Sequence, residues 1–252
     1  MMPGRAVLLA LAALICGVAL LGPAAAETAV PLPVPRPERT PSVSAALPTA
    51  KPAPASEAAA AGPVVAYDHG RVVIFRGYLN VFSRGMDKIA NDLKAQGIPV
   101  VLDNHSHWQP VADEIIKEFR TNPDKVKPVI IIGHSLGGNA SMVAANWLVH
   151  NGVPVRLVVV FDAVGQTHLA EKGVQEVINF YKPKGSAGQQ MRPGPGFTGV
   201  IDNVDLTQRQ EIDHLNIDKN PVLQAEVMEK ILAIFKGAPP PKAPATAAAT
   251  NG

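Results

Sequence analysis

Residues 64–237 predict a three-layer α/β sandwich, a mostly parallel sheet with helices on both faces. The first observation behind this is a set of short strands that read as continuous apolar, β-branched runs, the pattern of a sheet covered on both sides. The second is that amphipathic segments of helical period separate those runs. The third is where the prolines lie: 15 of the 24 fall in residues 1–63 and 238–252. The 174 residues between suit one domain with a sizeable core, by the usual prior of roughly 100–200 residues per domain.

The elements follow in order. Residues 71–75, Arg-Val-Val-Ile-Phe, are a β-branched run ending at Arg76-Gly77. The next segment carries Met86, Ile89, Ala90 and Leu93 on one helical face, with Ser83 placed to cap its start and Gly97 to stop it. Residues 99–102 read as a strand, and 111–120 as a helix burying Val111, Ile115, Ile116 and Phe119. A third strand, 129–132, runs into Gly133-His134-Ser135-Leu136-Gly137-Gly138. The helix after it turns Ala140, Val143, Ala144, Trp147 and Leu148 inward and stops at Asn151-Gly152. Strands at 155–161, 174–181 and 200–204 follow, and Pro221 opens a last helix through Leu223, Val227, Ile231 and Phe235. Only about a dozen residues separate Asp162 from Val174, too few for a large helical cap. The Gly/Pro-rich stretch 185–199 reads as a long flexible connection, either a lid or an ordinary crossover.

The ends have a different character. Arg5, an apolar run over residues 6–21 and the small residues Ala24-Ala25-Ala26 give residues 1–26 the layout of a secretory signal peptide. The alternative is an uncleaved N-terminal membrane anchor, for which the run is shorter than the ~20 residues a spanning helix needs. Export to a periplasmic or extracellular location follows from the first reading. The one cysteine, Cys16, lies inside the apolar run, so cleavage of the signal would remove it and leave no thiol or disulfide chemistry. Residues 27–63 form a Pro/Ala-rich spacer that cannot bury enough surface to order itself, and 238–252 is a tail of the same kind. Within 64–237, 18 Lys+Arg balance 18 Asp+Glu, which leaves no electrostatic footprint for nucleic acid.

Ligands of open parallel sheets bind beyond the carboxyl ends of the strands, so residues just after each strand are the candidates for chemistry. Gly133-His134-Ser135-Leu136-Gly137 matches G-x-S-x-G between a buried strand and a helix, the setting of a nucleophile on a sharp turn. The Ser135 hydroxyl would then face backbone N–H groups at a helix N-terminus, which favour developing negative charge.

With this segment the chain resembles the α/β-hydrolase superfamily, in particular its small lipase, esterase and thioesterase-like members. The resemblance spans about 72–235. It implies a serine, acid, histidine order for a triad. His214, in the loop between the last strand and the last helix, matches the superfamily's histidine. Asp162, ending the strand 155–161, is the leading acid, although the commonest layout places the acid after the next strand; Asp202 and Asp205 are the fallbacks. The implied oxyanion hole pairs the N–H of Leu136 with one from the loop after the first strand, Tyr78 or its neighbour Leu79.

Asp103-Asn104-His105-Ser106-His107-Trp108 also follows a strand. Two histidines and one acid without a third spaced ligand are a weak metal signal, so no metal is expected. His134, His105, His107 and Trp108 are candidates to line a substrate cleft, against the plainer reading of a packed polar loop. The expected activity is that of an exported serine hydrolase on a carboxylic ester or thioester, small-molecule or lipid, needing no cofactor. The N-terminus would provide any envelope association. The alternatives are a non-catalytic hydrolase-like binding domain in the envelope, or an acyltransferase using the same three residues.

Overall fold

A computed structural model describes residues 67–78, 83–166, 168–183 and 188–241 of the 252-residue chain. The expected signal peptide, the spacer, most of the tail, Leu79 and Gly185 lie outside these residues. Among the described residues, no helix is long and apolar enough to cross a membrane.

The chain runs β1 (Arg71–Arg76), α1 (Arg84–Ala95), β2 (Val100–Asn104), a 3-10 turn (His105–His107), α2 (Trp108–Thr121), α3 (Pro123–Val126), β3 (Val129–His134) and α4 (Leu136–His150). It continues through β4 (Leu157–Phe161), β5 (Leu169–Ala170), β6 (Glu176–Tyr181), β7 (Arg192–Pro193), β8 (Val200–Asp205), a 3-10 turn (Ile217–Lys219) and α5 (Pro221–Phe235). Six strands make one sheet in the order β2-β1-β3-β4-β6-β8, every pair parallel. The strands that read as continuous apolar runs are its centre: all of β3, β4 and β6 is buried, whereas β2 and β8 are wetter edges.

Because side chains alternate along a strand, the sheet feeds two cores. Val72, Ile74, Ile130, Ile132, Val159, Phe161 and Phe180 pack with residues of α1 and α5 on one face. Val73, Phe75, Ile131, Val158, Val160 and Val177 pack with residues of α2 and α4 on the other. This is the three-layer α/β sandwich that the sequence predicts.

Four local expectations need correction. Helix α2 begins at Trp108, not at 111, and it buries Ala112 together with Ile115 and Ile116, while Val111 and Phe119 are only partly buried. Trp147 is not inward on α4 but exposed; its Nε1–H donates to Asp113 (2.8 Å), and its ring meets the Trp108 edge at a 6.3 Å centroid distance. The reason is that α4 lies against the sheet through its small residues Gly137, Gly138, Ala140, Ser141, Ala144 and Ala145, which leaves no room for an indole on that side. The strand expected to start at 174 starts at Glu176, Val174 making only a single bridge with Val155. Part of the stretch read as a flexible connection is instead tied to the sheet. The Asn203 side chain accepts from Met191 N–H and donates to Met191 C=O, and Asn179 donates to the Gln189 carbonyl. That segment also forms the two-residue pairing of β7 with β5.

Candidate active site

The parallel register places the candidate groups. His134 on β3 is opposite Phe161 on β4, so Ser135 and Asp162 each sit one residue beyond the same rung. Ser135 has φ +60 and ψ −123 and precedes the first residue of α4. Such a conformation costs a non-glycine residue of the order of 1–3 kcal/mol and persists only where its surroundings enforce it. Here they do: Ser135 N–H donates to Phe161 C=O (3.0 Å), and Ser135 C=O accepts from Gly138 N–H (3.0 Å) and Val164 N–H (3.2 Å). The flanking glycines allow the turn to close. A Cβ on Gly133 would lie 2.1 Å from the Gly137 carbonyl oxygen, and one on Gly137 2.1 Å from that of Phe75.

Three side chains meet at this edge. His214 Nε2 is 3.0 Å from Ser135 Oγ, and His214 Nδ1 is 2.7 Å from Asp162 Oδ2. A carboxylate only accepts, so Nδ1 carries the proton and Nε2 offers its lone pair to the Ser135 O–H. Asp162 is buried and its second oxygen accepts from Lys182 N–H (3.0 Å). The Lys182 ammonium in turn donates to the carbonyls of Arg209 (2.8 Å) and Ile212 (2.7 Å) in the loop that carries His214. One residue thus ties the acid to the histidine loop. The sequence reading missed Lys182, yet it directly follows β6, where the strand-end rule points. Asp205 is engaged elsewhere, accepting from Thr207 N–H (2.8 Å) and Tyr181 O–H (3.3 Å), and Asp202 is exposed; neither is placed on His214.

Around the hydroxyl, Leu136 opens α4, so its N–H is among those a helix cannot satisfy internally. The loop after β1 adjoins the elbow: a Cβ on Gly77 would be 3.0 Å from Ser135 Cβ. Tyr78, next in sequence, is exposed. The other cleft candidates are not gathered here. His134 is buried beneath the elbow with both ring nitrogens engaged, so it does not line a cleft. His107 pairs with Asp103 (2.8 Å), and Trp108 packs on Trp147. His105 Nδ1 is a buried atom with no hydrogen-bond partner among the described residues. No group of three or more His, Cys, Asp or Glu suited to a metal occurs among the described residues.

Two buried ionisable groups flank the site with opposite consequences for stability. Burial pushes His134 down to about 4 from its ordinary 6.5. Between those values the unfolded chain binds a proton that the folded chain refuses, so stability rises with pH. Asp218, fully buried with Oδ2 accepting from Gly85 N–H (2.8 Å), is pushed by burial up to about 6 from 3.8. Between those values the folded chain holds the extra proton, so stability falls as pH rises. Each slope is at most about 1.4 kcal/mol per pH unit, and in the wild type they oppose one another between about pH 4 and 6. Asp218→Asn is therefore expected to expose a rising slope and His134→Gln a falling one. Urea unfolding at half-unit steps from pH 4.5 to 7 checks both signs; variants that parallel the wild type would contradict the assignment.

A family model described as a thioesterase domain matches residues 85–179. The search of curated proteins returned no match. Among solved structures, a hydrolase of the α/β superfamily from Xanthomonas campestris pv. campestris is 11% identical, with TM-score 0.36, over 64% of this chain and 99% of that one. A type II thioesterase from the yersiniabactin biosynthetic pathway is 9% identical, with TM-score 0.37, over 69% of this chain and 95% of that one. Likenesses this distant add nothing to the argument from topology. The parallel sheet with helices on both faces and the strand-to-helix elbow make an α/β-hydrolase-like fold, and residues 85–179 within it match the thioesterase-domain model. That match supports a hydrolase of the ester and thioester type.

Proposed function

We propose that this chain is a serine hydrolase that cleaves a carboxylic ester or thioester. The observation that carries the reading is the unbroken contact chain from Ser135 Oγ through His214 to Asp162, at 3.0 and 2.7 Å, with the serine on a strained elbow. Ser135 Oγ attacks the acyl carbon while His214 Nε2 takes its proton. Asp162 holds the imidazole in the required tautomer and stabilises the imidazolium. The N–H groups of Leu136 and Tyr78 receive the oxyanion. Collapse expels the alcohol or thiol with the proton from His214. Water then enters by the same route in reverse and frees the acid and Ser135. The described residues between β4 and β6 include no helix, which supports an open cleft for an acyl group borne on a bulky molecule.

The match to a thioesterase-domain model supports a thioester among the substrates. The residue pattern of 1–26 supports export, which favours esters and lipids over CoA thioesters as substrates. A direct test offers the purified protein p-nitrophenyl esters from acetate to palmitate beside acyl thioesters of the same lengths. Turnover above background with a defined chain-length preference is expected, and the ratio of ester to thioester rates assigns the leaving group. No turnover of either series would turn the reading toward a hydrolase-like binding domain.

A further inference from the structure

His134 occupies the variable position of the elbow motif, immediately before Ser135, yet it is 1% exposed and reaches no substrate. Its two ring nitrogens point to two different loops. Nε2 is 2.8 Å from the backbone carbonyl oxygen of His214, and Nδ1 is 2.8 Å from Ser83 Oγ. A carbonyl oxygen only accepts, so Nε2 carries the hydrogen and, in the neutral ring, Nδ1 must accept from the Ser83 hydroxyl. Ser83 Oγ itself accepts from Gly77 N–H at 2.9 Å. The hydrogen bonds therefore run in one direction, from Gly77 N–H to Ser83, to His134, to the His214 carbonyl. Burial keeps the ring neutral down to about pH 4, so this direction holds above that pH.

The network accounts for a mismatch at α1. Ser83 stands at the N-cap position of that helix but makes no side-chain cap bond, because its hydroxyl is committed to Gly77 and His134. It also bridges the two halves of the site. Gly77 precedes Tyr78 in the loop that adjoins Ser135, and His214 supplies the imidazole that meets the same serine. The rings of His134 and His214 lie 5.1 Å apart, tilted by 36°.

We propose that His134 is a positioning residue for the reaction: held between Ser83 and the His214 carbonyl, it sets the distance from the oxyanion loop to the general base. The inference rests on the reading of Ser135 and His214 as nucleophile and base. A misplacement of about 1 Å at such a site can cost about a hundredfold in rate, whereas ground-state binding of the acyl chain does not depend on this alignment.

The test compares His134→Leu, His134→Gln, Ser83→Ala and Ser83→Thr in the full chain at pH 8, above the titration of both His134 and Asp218. With the p-nitrophenyl ester that the wild type turns over best, His134→Leu is expected to lower kcat by about ten- to a hundredfold with KM changed less than about threefold. The Gln amide can still donate to the His214 carbonyl, and His134→Gln is expected to recover kcat to within about fivefold of wild type. Ser83→Ala is expected to lose about tenfold and Ser83→Thr, which keeps the hydroxyl, to regain most of it. Wild-type kcat in folded His134→Leu and Ser83→Ala would overturn the inference, as would equal losses in the conservative and non-conservative members of each pair. If His134→Leu does not fold, the Ser83 pair decides alone. Ser135→Ala serves as the control: if it keeps activity, the underlying reading has failed, and if it is inactive while His134→Leu is not, only this inference has.

Discussion

Ser135→Ala and His214→Ala are each expected to lower kcat for ester hydrolysis by about 10⁴-fold or more. The reason is that nucleophile and base act as one unit. Without Oγ there is no acyl-enzyme; without the imidazole the hydroxyl keeps its proton and attacks poorly. The two losses should not multiply, so the double variant is expected to resemble either single one. Both substitutions should leave the fold intact: Ser135 and His214 are only partly buried, and neither side chain belongs to the apolar cores. A folded Ser135→Ala protein with undiminished turnover would remove the serine from the chemistry.

The second large effect is on folding. Gly137→Ala places a methyl 2.1 Å from the Phe75 carbonyl oxygen and 2.9 Å from that of Arg76. These are backbone atoms of β1, in the interior of the sheet, and they cannot turn aside as a flexible side chain would. Either α4 lifts away from β1 or the strand shifts, and both open the core formed by Phe75, Ala140 and Ala144. Overpacking of a dense core costs about 1–3 kcal/mol when side chains can adapt, so a clash with fixed backbone is expected to cost about 3 kcal/mol or more. Gly152→Ala is the matched comparison, since nothing lies within 4 Å of a Cβ there; its cost is that of its positive φ alone. Denaturant midpoints of the two variants separate the effects. Equal midpoints would mean that the elbow tolerates a side chain at position 137.

The strands were legible because burial on both faces writes itself as an unbroken apolar run, as in Ile130-Ile131-Ile132 and Val158-Val159-Val160. The paired turn residues were legible for the same reason: once β3 and β4 are placed, Ser135 and Asp162 fall at their ends. The small ribbon of β5 and β7 was not, because two-residue strands have no period and are created by tertiary pairing. Trp147 misled because helical spacing alone does not tell which flank of α4 meets the sheet. The small residues of that helix do.

The supporting polar groups were hidden more deeply. Ser83 has the residue type and position of a helix cap, and only the fold reveals that its hydroxyl serves Gly77 and His134 instead. His134 reads as a site-lining residue because it adjoins Ser135, but alternation along β3 and the overlying His214 loop bury it. Lys182 has no local pattern that marks it, although it links the Asp162 carboxylate to the carbonyls at Arg209 and Ile212. Each of these depends on a contact between segments far apart in sequence, which no local pattern encodes.

The central claim is that Ser135 is a nucleophile activated by His214. Labelling the purified protein with a fluorophosphonate probe and mapping the adduct by mass spectrometry tests it most directly. A single adduct on Ser135, absent from Ser135→Ala and slowed at least about a hundredfold in His214→Ala, is the expected result. A folded wild-type protein that acquires no adduct at Ser135, or labels at the same rate without His214, would contradict it.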